Sequence, residues 1–206
     1  MLITFEGIEG SGKTTQIELL SDYLTGNGYS VVQTREPGGT GFGEALREVL
    51  LKKGMEVKAL SELLVFMAMR AQHVDEVILP ALQDGKVVLC DRFVDATYAY
   101  QGYGRKIDLG VIETLNRLVT KGIRPNLTIL LNVTAERGLK RKAASSLMDR
   151  IEQEEISFHQ RVKKAYEKLA REDAKRFFII DGSLKVEAIH EIVRVKVSNV
   201  LKSYGV

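Results

Sequence analysis

The segment from Gly7 to Thr14 has the spacing of a phosphate-binding loop, in which a second glycine is followed directly by lysine and threonine. In such a loop the backbone N–H groups point inward, and the next helix directs the positive end of its dipole at the same place. We expect Lys13 to contact the β- and γ-phosphates of a polyphosphate and Thr14 to offer its hydroxyl to Mg²⁺. The predicted phosphate-binding residues are Gly7, Ile8, Glu9, Gly10, Ser11, Gly12, Lys13, Thr14 and Thr15.

A chance glycine-rich turn is the alternative, and the flanking sequence argues against it. Residues 2–5 are an apolar run with β-branched and aromatic members, which is typical of a buried strand. From Gln16 onward the apolar residues have the spacing of a helix. The loop therefore lies between a predicted strand and a predicted helix, as phosphate binding requires.

A carboxylate and a guanidinium end a second apolar run, where Asp91 and Arg92 follow residues 86–90. An acidic side chain at the tip of a strand beside the phosphate loop is the Walker B arrangement, and it binds Mg²⁺ directly or through water. The arginine would direct a bidentate donor at phosphate. A local ion pair between the two residues is the alternative interpretation.

Two further arginines stand out by their surroundings. Arg35 begins a loop with Glu36, Pro37 and several glycines, and strand-end loops of parallel sheets line the ligand crevice. Arg70 lies in an otherwise apolar helix, so its charge must reach solvent, pair with an acid or meet a ligand. Its position alone leaves these three possibilities open.

Two segments have compositions unlike the scaffold. Residues 93–105 carry tyrosines, Thr97 and Gln101, which suit a recognition surface better than a core. Residues 135–155 are basic, with Arg141 and Arg150 on either side of small residues, and we interpret 138–152 as a mobile lid. A solvated helix face is the alternative for Lys140 and Lys142.

Length and composition indicate one globular domain spanning residues 1–206. Hydrophobic residues make up 45% and charged residues 28% of the 206, and no apolar run is long enough for a membrane helix. The net charge of +3 does not indicate a nucleic-acid partner. We expect no secretory signal and a cytoplasmic location, with Cys90 in the core. The three histidines have no metal-ligand spacing, so we predict no zinc site.

Strands and helices alternate along the chain. This order predicts an α/β fold: a doubly wound, mainly parallel five-stranded sheet with helices on both faces, the P-loop NTPase fold. The predicted strands are 2–5, 29–34, 86–92, 127–133 and 176–181. The predicted helices include 42–51, 60–82, 109–120, one opening near 149 and running to 170, and 186–201.

Several classes of phosphate-loop protein are disfavoured. The sequence after the fourth predicted strand, Asn132 to Ala135, does not supply the Asn-Lys-x-Asp pattern by which GTPases read guanine. Motor and partitioning ATPases need a larger chain or a second basic signature near the first lysine. The additional arginines instead favour transfer of a phosphoryl group between two bound nucleotides.

At this point the sequence resembles the thymidylate kinase family over nearly its whole length. The resemblance is carried by five motifs in the family's order: 5–15 (FEGIEGSGKTT), 35–40 (REPGGT), 91–93 (DRF), 99–102 (AYQG) and 149–152 (DRIE). It implies ATP as donor with Mg²⁺ held by Thr14 and Asp91, dTMP as acceptor and a homodimer. The predicted catalytic residues are Lys13, Arg92, Glu9, Arg141 and Arg150.

The resemblance also implies a division of the acceptor site. Glu9 would approach the 3′-hydroxyl of the deoxyribose, and Phe66 would stack on the thymine. The remaining implied contacts are Arg35 and Arg92 with the 5′-phosphate, Arg70 and Gln101 with the base edge, and Tyr100 with the sugar. Thr97 completes the predicted substrate-binding set.

The chain departs from the family's pattern in two places: small residues occupy the middle of the lid, where bacterial members are often richer in arginine, and Ser11 stands where other members have a basic residue. From their positions on either side of the small residues, we expect Arg141 or Arg150 to reach the ATP phosphates. Two alternative functions remain: a kinase for another pyrimidine monophosphate such as dUMP, and an inactive nucleotide-binding regulatory module.

Overall fold

The structure is a computed structural model that describes residues 1–145 and 148–204. Ser146 and Leu147, in the middle of the predicted lid, lie outside the described residues. The strands are β1 Leu2–Glu6, β2 Val31–Arg35, β3 Val87–Asp91, β4 Leu127–Asn132 and β5 Phe177–Asp181. The helices are α1 Lys13–Gly26, α2 Gly41–Leu51, α3 Ala59–His73, α4 Leu79–Gln83, α5 Val94–Thr97, α6 Leu109–Val119, α7 Ala135–Ser145, α8 Ile156–Glu172 and α9 Val186–Ser203.

The five strands form one parallel sheet in the order β2-β3-β1-β4-β5, which confirms the predicted fold class. β1 is the central strand, and it pairs with β3 on one side and with β4 on the other. The central strands are almost wholly apolar because helices cover both faces of the sheet. The loops after β1 and β3 therefore emerge side by side at the carboxyl edge, where α/β proteins bind ligands.

Alternate residues of each central strand enter two different cores. Ile3 and Leu89 pack with α1 and α9 on one face of the sheet. Leu2 and Val88 face the opposite side, together with Cys90, whose side chain is buried as expected. Complete burial of each Leu, Ile or Val side chain contributes about 1.5–3 kcal/mol, which fixes the strand register.

Two predicted helices have different boundaries in the structure. The predicted helix 60–82 is α3 and α4 joined by a π-helical segment, Val74–Ile78. The helix predicted to open near 149 begins only at Ile156. The preceding segment is a turn because Asp149 Oδ1 accepts from the backbone N–H groups of Ile151 and Glu152.

The predicted recognition segment 93–105 is also helical. α5 continues into a second π-helical segment, Tyr98–Gly104, which packs against α8. π-Helical turns within α-helices occur frequently at functional sites. Across residues 1–145 and 148–204, no helix combines the length and apolarity needed to span a bilayer.

Candidate active site

The phosphate loop joins β1 to α1 at the centre of the carboxyl edge. Gly12 precedes α1 in the left-handed conformation, with a φ of 97°. Gly7 has a φ of 136°, and a Cβ atom there would lie 2.5 Å from the carbonyl oxygen of Leu131. Only glycine combines this φ with the absence of a Cβ atom, so the path of the backbone requires glycine at position 7.

Lys13 lies across the mouth of this loop and is 93% buried. Its Nζ donates to the carbonyl oxygens of Gly7 and Ile8, at 3.2 and 3.0 Å, and to Ser11 Oγ at 3.3 Å. Burial and the nearby Arg92 charge lower the pKa of Lys13 to about 8. The ammonium group is thus held at the point where the phosphates are predicted to bind.

Thr14 and Asp91, the two predicted Mg²⁺ residues, lie side by side. The Thr14 hydroxyl donates to Asp91 Oδ2 over 2.8 Å. A hydroxyl and a carboxylate are hard oxygen ligands, and Mg²⁺ commonly takes one or two of these and completes its shell with water and phosphate oxygens. The pair therefore fits Mg²⁺, although no cluster of three or more metal-binding side chains occurs within residues 1–145 and 148–204.

Arg92 connects the phosphate loop to the neighbouring recognition segment. Its Nη1 donates to the carbonyl oxygen of Gly7 at 2.8 Å, and its Nη2 lies 3.2 Å from Glu9 Oε1. The guanidinium also stacks over the Tyr100 ring, 4.9 Å from its centroid. The backbone of Arg92 has a φ of 70°, which the strand pattern of its sequence does not predict.

The Glu9 carboxylate is held by the same group of residues. The hydroxyl of Tyr100 donates to Glu9 Oε1 at 2.6 Å, the atom that also faces Arg92. Burial opposes ionisation of Glu9, but neighbouring His159 and Arg92 outweigh it and keep the pKa of this carboxyl below its usual range. Glu9 is therefore an anion at neutral pH, with its charge close to Arg92.

The predicted acceptor residues line the same cleft, which has a volume of about 870 Å³. Arg35, at the end of β2, is exposed and forms an ion pair with Glu44 at 2.9 Å. The cleft also brings together the other predicted acceptor residues: Phe66, Arg70, Arg92, Thr97, Tyr100 and Gln101. A space of this size suits ligands of nucleotide dimensions.

Arg70 is buried and paired within the protein. Its Nε donates to Glu36 Oε2 at 2.7 Å, and its Nη1 donates to Thr97 Oγ1 and Asn116 Oδ1 at 2.8 and 2.6 Å. The Phe93 carbonyl accepts from Nη2 at 3.0 Å. Of the three possibilities for this charge, the structure shows pairing with an acid. A contact with a base edge would exchange one of these bonds.

The two candidate lid arginines lie in different places. Arg141, on α7, donates from Nη1 to the carbonyl oxygen of Gly182 at 3.0 Å and lies 3.5 Å from that of Gly10. Arg150 donates instead to Glu62 Oε2 at 2.7 Å and to the carbonyl oxygen of Leu50 at 2.8 Å. The geometry thus places Arg141, and not Arg150, against the phosphate loop.

Sequence reasoning missed two residues of the site, Glu6 and Tyr166. The Tyr166 hydroxyl accepts from Arg92 Nη1 at 3.0 Å and donates to Glu6 Oε2 at 2.7 Å. Burial raises the pKa of Glu6 to about 8. A charged residue in an otherwise apolar strand directly before the loop was the available signal for Glu6. Tyr166 offered none because it lies far away in the sequence.

The chain is similar over nearly its whole length to known thymidylate kinases. A family model described as Thymidylate kinase matches residues 5–193. Thymidylate kinase of Kosmotoga olearia is 46% identical over 205 residues, covering 100% of this chain and 99% of that one. Thymidylate kinase of Geotalea daltonii is 51% identical over 193 residues, covering 90% of each.

A solved structure shows the same likeness. The crystal structure of thymidylate kinase from Ehrlichia chaffeensis matches this structure with a TM-score of 0.80 and 38% sequence identity. The match covers 97% of this chain and 98% of that chain. The two chains therefore share one overall fold over nearly their whole lengths.

The contact between α7 and the phosphate loop yields a first prediction. A Cβ atom at Gly138 would overlap the carbonyl oxygen of Glu9 and lie 2.8 Å from Ile8 Cδ1. Gly138→Ala should therefore lower the free energy of unfolding by about 1–3 kcal/mol, a common cost of overpacking, and weaken ATP binding. Urea unfolding and calorimetry measure the two effects. Gly26→Ala, with no atom within 4 Å of its Cβ, is the matched control, and equal behaviour of both variants would contradict the prediction.

Proposed function

The chain belongs to the thymidylate kinase family and phosphorylates dTMP with ATP as the donor, and we propose that its cleft holds the two nucleotides with their phosphates meeting at Arg92. The observation that carries this proposal is the guanidinium of Arg92, which touches both the phosphate loop and the aromatic recognition segment. The two alternatives, a kinase for another pyrimidine monophosphate and an inactive regulatory module, are not favoured by the relatives.

On the donor side, residues 7–15 would bind the ATP phosphates through backbone N–H groups. Lys13 would exchange its carbonyl partners for phosphate oxygens, and a phosphate dianion beside it would restore its full charge. Thr14 and Asp91 would hold Mg²⁺, which when bound neutralises charge on the phosphate oxygens. The Thr14 hydroxyl and the Asp91 carboxylate lie within hydrogen-bond distance of each other, so bringing this pair to the metal needs little reorganisation.

On the acceptor side, Arg35 and Arg92 would bind the 5′-phosphate of dTMP. Glu9 would accept from the 3′-hydroxyl, and Tyr100 would pack against the sugar. Stacking of the thymine on Phe66 is worth about 1–3 kcal/mol by analogy with other bound bases. The base edge would be read by the remaining polar residues of this end of the cleft, Arg70, Thr97 and Gln101.

Phosphoryl transfer needs positioning and charge stabilisation more than covalent chemistry. Lys13, Arg92 and Arg141 would surround the transferred group and hold the attacking and leaving oxygens in line.

A single domain over residues 1–206 with a mobile lid at about 138–152 stays a prediction, as does the cytoplasmic location. Arg150, held by Glu62, is the second candidate for the stabilising arginine.

We also propose a homodimer. α3 packs against both α2 and α6, and all three helices carry exposed apolar side chains. Contiguous exposed apolar surface usually marks an interaction site. The exposed residues are Phe42 and Val49 on α2, Leu60 and Leu64 on α3, and Leu109, Val111 and Leu118 on α6.

The activity is tested by ADP release from ATP and Mg²⁺ in the presence of dTMP, dUMP or dCMP. We expect dTMP to give the highest kcat/KM, with dUMP lower by about 10–200-fold, the discrimination that one methyl group supports. Phe66→Ala should raise the KM for dTMP by about 5–150-fold with kcat little changed, because stacking stabilises ground and transition states alike. Tyr204→Ala, at an exposed aromatic position outside the cleft and the proposed dimer surface, is the control. ADP release that does not depend on any monophosphate would contradict the transfer.

The two lid arginines are separated by single substitutions. Arg141→Ala should lower kcat by about 100-fold or more, the usual cost of removing one group that stabilises transition-state charge. Arg150→Ala should mainly lower the free energy of unfolding, because the buried Glu62 carboxylate loses a donor. Steady-state kinetics and urea unfolding of both variants measure this difference. An unchanged kcat in Arg141→Ala would rule out its assignment.

The proposed dimer is tested on α3. Leu64→Glu places a charge in the exposed apolar surface and should convert the dimer to a monomer, since burying an unpaired carboxylate is costly. Sedimentation velocity measures the change in mass. Val195→Glu, at a similarly exposed position on α9, should leave the dimer intact. Dimers that persist in Leu64→Glu would place the interface elsewhere.

A further inference from the structure

His159 and Glu9 each carry a buried polar atom that the contacts described above leave unexplained. The His159 side chain, on α8, has no solvent exposure. Neither of its ring nitrogens has a hydrogen-bond partner within residues 1–145 and 148–204, and neither does Glu9 Oε2. Buried polar groups of native proteins nearly always find partners, so each exception needs an explanation.

The unpartnered atoms face one another. His159 Nδ1 lies 3.5 Å from Glu9 Oε2, slightly beyond the usual range of a hydrogen bond. A shift of about half an ångström by either side chain would form a normal N–H···O bond. The imidazole ring is meanwhile positioned by edge-on packing against Phe158, whose centroid is 5.4 Å away. The two side chains are thus placed for a hydrogen bond that a small adjustment of either would complete.

The Glu9 carboxylate has about four lone-pair positions at which it can accept hydrogen bonds. The two on Oε1 face the Tyr100 hydroxyl at 2.6 Å and Arg92 Nη2 at 3.2 Å. One position on Oε2 faces His159, which leaves one on the same oxygen for a further donor. Because Oε2 itself is buried, the sugar hydroxyl of the acceptor nucleotide would reach this position only once the carboxylate turns.

We propose that His159 is a positioning residue, whose Nδ1–H donates to Glu9 Oε2 and turns the carboxylate so that its last lone pair receives the 3′-hydroxyl of dTMP. The inference rests on the proposed function for the role of Glu9. The pairing itself depends only on the geometry. An apolar side chain of similar size would fill the same space without leaving a nitrogen beside a carboxylate oxygen.

The charged surroundings favour this arrangement. His159 and Arg92 keep the pKa of Glu9 below its usual range, and Lys13 adds a further positive charge from the phosphate loop. On the opposite side, the guanidinium groups of Arg105 and Arg161 lie over the Phe158 ring, next to His159. An imidazole N–H at Nδ1 would donate to this carboxylate from the side that neither arginine nor lysine occupies in the contacts of Glu9.

The kinetic test compares dTMP with 3′-deoxythymidine monophosphate, which lacks the hydroxyl. His159→Leu should reduce the preference for dTMP in kcat/KM by about tenfold, the value of one hydrogen bond to a charged group, through KM and not kcat. His159→Asn, which offers an N–H near the position of Nδ1, should restore the preference. The KM for ATP should stay unchanged in both variants. A preference unchanged in His159→Leu, or an equal loss with both nucleotides, would overturn the proposal.

Two further measurements separate this inference from the proposed function. Calorimetric titration with the same two monophosphates gives their relative affinities even if no phosphoryl transfer occurs. ¹⁵N NMR of the imidazole reports whether His159 carries its proton on Nδ1, and Glu9→Gln should shift that signal. Absence of transfer with the NMR signature intact would count against the proposed function alone. A His159 signal that does not respond to Glu9→Gln would overturn the pairing.

Discussion

Arg92 lies where β3 ends, and its guanidinium contacts the phosphate loop, the recognition segment and α8 at the same time. A buried cation is tolerated only when it is paired and hydrogen-bonded, and Glu9 and Tyr166 supply those partners. β3, the phosphate loop, the recognition segment and α8 must therefore all be in place before the charge of Arg92 is stabilised. The left-handed backbone of Arg92 belongs to the same constraint, because it directs the side chain back over Gly7.

The other buried charges of the cleft follow the same rule. Lys13 is held by carbonyl oxygens of its own loop, and Arg70 is paired with Glu36. Each cation thus has acceptors in place that a phosphate or a base can supplement or replace. Because the fold holds these dipoles and charges in place, a phosphoryl group bound there would enter an environment that favours negative charge with little reorganisation.

Local patterns were sufficient for much of the fold and part of the site. The phosphate loop, the parallel sheet and the Thr14–Asp91 pair all follow from spacing, since a motif between strand and helix has few possible geometries. The start of α8 could not be predicted, because the Asp149 side chain competes with the helix for backbone N–H groups. The Glu62 contact of Arg150 was equally inaccessible, since it joins residues 88 positions apart.

The sequence by itself determined the family and the class of fold and predicted the reacting groups, because glycine spacing and strand-end charges act through their immediate neighbours. Only the tertiary structure decided which partner each charge has. It placed Arg141 against the phosphate loop and joined Tyr166 to Arg92. It also brought His159 to Glu9 from a distant helix. These contacts depend on how the helices pack over the sheet, and hydrogen bonds between residues far apart in sequence leave no periodic or spacing signal in a single chain.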